Sequence, residues 1–161
     1  MTTPSTRTQR RAERLDDPRF ESVRTPRARR LLVAGMSALL VVEAGLLVAL
    51  ETAPVAGAIA LAVVALTFVI CLGALKASTR GVEELPAEAL DERQWQLRGE
   101  AYALSYKIGA GLLSAALAVV TAWLVMDWPA PGAGVITAAV VVSFHVAIVL
   151  PTMVTASLRR I

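Results

Sequence analysis

The sequence predicts an all-α integral membrane four-helix bundle, and three observations carry that expectation. Of 161 residues, 56% are hydrophobic, with a mean hydropathy of +0.61. These residues are gathered into four runs, 31–50, 54–75, 108–126 and 133–156, rather than spread periodically as in a soluble domain. Each run is long enough, at about 1.5 Å per residue, to cross a hydrocarbon core of about 30 Å. The runs are apolar all round and do not alternate, so neither an amphipathic soluble helix nor a β-barrel strand fits them. The expected division is a disordered basic tail over 1–30 and a four-span domain over 31–161. The spans fall at about 31–50, 54–75, 101–126 and 133–156, with a cytoplasmic loop over 76–100.

The tail comes first. Residues 1–30 hold nine arginines, interleaved with Glu13, Asp16, Asp17 and Glu21, and few apolar side chains. Such a segment cannot bury a core. It is expected to set topology as a solvated tail; the alternative is a basic patch attracted to anionic lipid head groups, each well-placed arginine contributing about 1 kcal/mol. Nucleic acid is not an expected partner, because acidic residues interrupt the arginines and no aromatic platform accompanies them. A polar lead of this length followed by a full span does not read as a cleaved signal peptide, whose apolar region is about 7–15 residues.

The first span carries Glu43 in its interior, where a carboxylate is costly unless protonated, paired or wetted. A short connection, with Glu51 before Pro54, makes the first two spans an antiparallel hairpin. The second span is rich in Ala and Val and holds the chain's one cysteine, Cys71, a buried thiol with no intramolecular disulfide partner.

The central stretch, 85–107, is the long polar interruption in an apolar chain. Asp91, followed three residues later by Gln94, has the form of a capping box, and Asp91 and Glu92 suit the positive end of a helix. No strong stop follows until Pro129, so the third helix is expected to run from about residue 91 to 126 and to project beyond the bilayer. Gly99 marks a position where it could bend. Leu90, Leu97, Ala101, Leu104 and Ile108 share one stripe, continued by Gly111, Ala115, Ala118 and Ala122. Leu90, Asp91, Glu92, Arg93, Trp95, Leu97 and Leu104 are therefore the candidate interaction face, for a protein partner or for homo-oligomers. The competing reading is an amphipathic segment lying on the head groups, with its aromatics at the interface.

The fourth span contains His145, the chain's one histidine, and Pro151. Glu43 lies about 18 Å along its helix from one end of its span and His145 about 17 Å from the same side of its own, so the two could pair across neighbouring helices. That pair is either a proton or cation relay or a hydrogen bond that packs two helices.

Orientation follows from charge. The 16 Lys and Arg residues fall in the tail, around the central stretch (Lys76, Arg80, Arg93, Arg98, Lys107) and at Arg159 and Arg160, and none lies in the connections 51–53 and 127–132. Positive-inside bias therefore predicts both termini and the central loop in the cytoplasm. Trp123 and Trp128 bracket the second extracytoplasmic turn as interfacial anchors.

The run Leu90-Asp91-Glu92-Arg93-Gln94, then Leu97-Arg98, Ala101-Tyr102 and Ser105-Tyr106-Lys107, resembles small bacterial and archaeal multi-span proteins of unknown function. Those proteins carry a D-E-R motif a dozen residues before a span. The resemblance covers about 20 residues and implies an integral membrane protein; the expected location is a bacterial cytoplasmic membrane, with multiple passes. Small multidrug resistance transporters share four spans and a first-span glutamate, but lack this tail, this loop and this charge bias. The sequence contains no nucleotide, metal or nucleophile motif, so no catalytic residue, metal or cofactor is expected. The leading functional expectation is a non-enzymatic accessory or interaction subunit docking through 88–107. The alternative is a small proton- or cation-coupled transporter using Glu43 and His145.

Overall fold

The computed structural model describes residues 18–83, 85–86 and 90–158. Residues 1–17, Glu84, 87–89 and the terminal Arg159, Arg160 and Ile161 lie outside the described residues, and with them most of the expected tail. A short 3-10 turn, Pro18–Arg24, precedes four α-helices: α1 Pro26–Ala49, α2 Pro54–Ser78, α3 Glu92–Val125 and α4 Ala133–Leu158. All four are long and apolar enough to cross a membrane.

Each boundary has a local cause. Thr25 caps α1, its hydroxyl accepting from the Ala28 amide at 3.2 Å, and Pro26 occupies the first helical position. This Thr-Pro start begins α1 ahead of the apolar run, so the end of the expected tail is helical rather than featureless. The third helix is continuous through Gly99. It opens on the complete capping box: the Asp91 carboxylate accepts from the Gln94 amide at 2.7 Å, and the Asp91 amide donates to the Gln94 side chain at 3.3 Å.

Two helices end in Schellman turns. After α2, the Gly81 amide donates to Lys76 O at 3.0 Å and the Arg80 amide to Ala77 O at 3.3 Å, with Arg80 in the left-handed region at φ 56°. After α3, the Trp128 amide donates to Trp123 O and the Asp127 amide to Leu124 O, each at 3.3 Å, with Asp127 at φ 51°. The apolar contact that usually accompanies this motif is the Trp123–Trp128 pair, edge to face at 5.3 Å.

Packing is uneven. The most extensive contact is α1 on α4, followed by α1 on α2 and α3 on α4. Along α1 the buried positions are Arg29, Met36, Leu40, Glu43 and Leu47, a three-and-four spacing that makes one seam. Along α4 they include Ala138, Val149, Thr152 and Ala156 at matching spacing. The third helix rests on α4, and its buried residues are Ala101 and Ser105, both in its first half.

The segment after α2 departs from the expected open loop. Thr79, Val82, Glu83 and Leu85 are all buried. Val82 and Leu85 supply the apolar surface that lets this turn plug the end of the bundle. Two hydrogen bonds from α3 hold it there: Arg98 Nη1 to Leu85 O at 2.6 Å and the Tyr102 hydroxyl to Glu83 O at 3.2 Å.

Candidate functional site

Glu43 and His145 form an ionisable layer in the α1–α4 seam. His145 Nδ1 lies 2.8 Å from Glu43 Oε1 and 2.9 Å from Oε2. Glu43 is 9% exposed. The seam spacing that buries Leu40 and Leu47 turns Glu43 inward with them. The His145 ring also stacks, tilted, at 4.9 Å from Phe68 of α2, so three helices meet at this layer. One proton bridges the pair in either arrangement: an imidazole N–H donating to a carboxylate, or a carboxyl O–H donating to the imidazole. Such a pair can fix helix register, as a polar layer does in a coiled coil, or can exchange a proton.

Hydroxyls on three of the helices are bonded locally. Ser37, Thr67 and Thr121 donate to the carbonyls of Val33, Val63 and Leu117 on their own helices, at 3.0, 2.8 and 2.8 Å. Among the described residues no group of three or more His, Cys, Asp or Glu side chains is placed to hold a metal.

A second carboxylate joins α1 to α4 further along the seam. Glu51 accepts a hydrogen bond from the Gly134 amide in the first turn of α4, where the helix dipole favours a negative charge. A Cβ at Gly134 would lie 3.0 Å from Glu51 Oε1, Leu47 O and Val48 Cα, so the close crossing of the two helices requires glycine. Sequence reasoning placed Glu51 in a turn and missed this role. The signal was present in the small residues Gly132 and Gly134 opposite an acidic hairpin.

The residues of the expected interaction face separate. Asp91 is committed to the helix cap. Leu90 and Leu97 are half-buried, while Glu92, Arg93 and Leu104 are exposed. Trp95 is 53% exposed and Tyr106, one helical face with it, is 78% exposed. The Arg98 guanidinium sits over both the Trp95 and Tyr102 rings, at 5.7 and 5.8 Å, and stiffens this face.

No protein-family model, curated protein or solved structure matches this chain.

Proposed function

We propose that this is a non-enzymatic multi-pass membrane protein that serves as an accessory subunit and docks a partner protein, or further copies of itself, through the segment 88–107. The observation that supports this reading is a rigid but uncovered aromatic face. The capping box, the Arg98–Leu85 bond and the Tyr102–Glu83 bond brace the start of α3, while Trp95 and Tyr106 remain open. Aromatic side chains already fixed in place give up little entropy on binding, which is why they dominate protein interfaces. On this reading the chain sits in a bacterial cytoplasmic membrane. Both termini and the start of α3 face the cytoplasm, because the basic residues lie on that side. Arg27 and Arg30, exposed at the start of α1, favour anionic lipids there.

The test is native mass determination of the full chain extracted in mild detergent, compared with a variant carrying Trp95→Ser and Tyr106→Ser. Loss of a stoichiometric partner, or of a homo-oligomer, in the variant is the expected result. Associations that survive both substitutions would sink the reading.

The short Glu43–His145 contact favours a second reading, a proton- or cation-coupled carrier working at that layer. Its test is Glu43→Gln in proteoliposomes, where unchanged proton flux rejects it.

A further inference from the structure

At the end of the bundle where α2 and α4 stop, a cleft of about 540 Å³ opens between that end, the 3-10 turn and the first turns of α3. Arg24, Arg80 and Arg93 line it together with Glu21, Asp91 and Glu100. Leu97 and Leu158 form its apolar part.

Its depth follows from helix length. The α4 helix has 26 residues, and the same rise measured back along α3 from Val125 ends near Glu100. The cleft thus lies where the helices leave the hydrocarbon, in the layer of lipid head groups. A track leads down from it. Arg93, Leu97, Glu100 and Leu104 share one side of α3, and that side continues through Ile108, Gly111 and Ala115. Leu104, Ile108, Gly111 and Ala115 are all exposed, because α3 packs on α4 and has no comparable packing against α2.

A polar cleft of balanced charge above an open apolar track matches one kind of molecule. We infer that the cleft holds the head group of a glycerophospholipid bearing a primary ammonium, of the phosphatidylethanolamine type, with its acyl chains along the track. Guanidinium groups, Arg93 foremost, take the phosphate, for which their planar donors are suited. Glu100 takes the ammonium, since Glu21 is held by Arg24 at 2.9 Å. Three carboxylates beside three arginines disfavour a free polyanion, and a choline ammonium offers those carboxylates no N–H. This face lies on the opposite side of α3 from Trp95 and Tyr106, so lipid binding and partner docking are separable.

The experiment is native mass spectrometry of the delipidated full chain in micelles doped in turn with phosphatidylethanolamine, phosphatidylcholine and phosphatidylglycerol. Phosphatidylethanolamine should be retained about tenfold over phosphatidylcholine, the scale of one charge-assisted hydrogen bond. Arg93→Gln, at an exposed helix position that does not threaten folding, should weaken retention of both lipids, and Glu100→Gln should narrow the margin between them. The Trp95→Ser, Tyr106→Ser variant should retain the lipid unchanged. Equal retention of phosphatidylethanolamine and phosphatidylcholine overturns the inference. So does a preference for phosphatidylglycerol, or retention indifferent to both Arg93→Gln and Glu100→Gln. Displacement by millimolar inorganic phosphate assigns the cleft to free phosphate, and a peptide occupying it assigns it to a protein partner; either result overturns the lipid.

Discussion

Replacing Glu43 and His145 by leucine, singly and together, separates the two roles their contact allows. Each single variant strands one polar group in the seam. Breaking a buried pair from one side costs about 3–5 kcal/mol in soluble proteins. Hydrogen bonds between membrane helices couple more weakly, at about 0.6 kcal/mol on average and about 1.7 at most. With both carboxylate oxygens within 2.9 Å of Nδ1, the coupling here should sit at the upper end, about 1–2 kcal/mol. Two unit charges about 4 Å apart between centres at an effective dielectric of about 20 would have a gross attraction of about 4 kcal/mol before desolvation is subtracted. The double variant leaves α1 apolar along the seam from Met36 to Leu47, with leucine at both exchanged positions beside the native Leu40 and Leu47. It should regain most of the stability of the native chain. The assay is a double-mutant cycle by reversible unfolding in mixed micelles. Coupling below about 0.5 kcal/mol would refute the claim that the contact is an energetic link between α1 and α4. A double variant no more stable than the worse single one would refute the register role.

Further outcomes follow from the local geometry. Gly134→Ala should destabilise by about 1–3 kcal/mol, because its methyl meets backbone at 3.0 Å; thermal unfolding in detergent reads this. Glu51→Ala should cost about 1 kcal/mol through loss of the α4 N-terminal acceptor, and an unchanged melting temperature would refute it. Asp127→Gly should stabilise by about 1 kcal/mol, since the left-handed residue of the Schellman turn after α3 is at present not glycine. Its check is the same melting curve, which should move upward. Arg98→Ala should raise amide exchange across 79–85, because it removes the bond to Leu85 O that holds the plug; protection equal to the native chain would count against that brace.

Much of the helix pattern was readable because length and hydropathy alone specify a span. The α3 start was readable for a different reason: Asp91 and Gln94 stand at the one spacing that satisfies two orphan amides reciprocally. The Glu43–His145 layer was legible through depth arithmetic, since helical rise converts sequence position into height and a bundle offers few neighbours at each height. Height alone does not say which helices are adjacent. That comes from the α1–α4 seam, where the small residues Gly134, Ala138 and Ala156 of α4 are buried. The burial of Thr79, Val82, Glu83 and Leu85 was hidden for the converse reason. Thr79, Glu83 and their neighbours have a loop's composition, and their burial depends on α3 reaching back over them with Arg98 and Tyr102.

The uneven packing bears on function more than any single residue does. A helix that spans a bilayer gains little from being buried against another, because lipid tails are as apolar as leucine. The α1–α4 seam therefore needs its polar layer at Glu43–His145 and its anchor at Glu51–Gly134 to be specific. No side chain of α3 beyond Ser105 is buried, and its specificity comes from its first turns, where the plug, the cap and the aromatic stack fix it. The same turns carry the open face at Trp95 and Tyr106 and, on the other side, the charged cleft. A load on either face is thus applied to the part of α3 that determines how the helix sits on α4. Binding at 88–107 should change amide protection in 79–85 before it changes anything in α1 or α2. Hydrogen exchange of the full chain with and without a protein bound at that segment checks this order, and protection gained first along α1 would refute it.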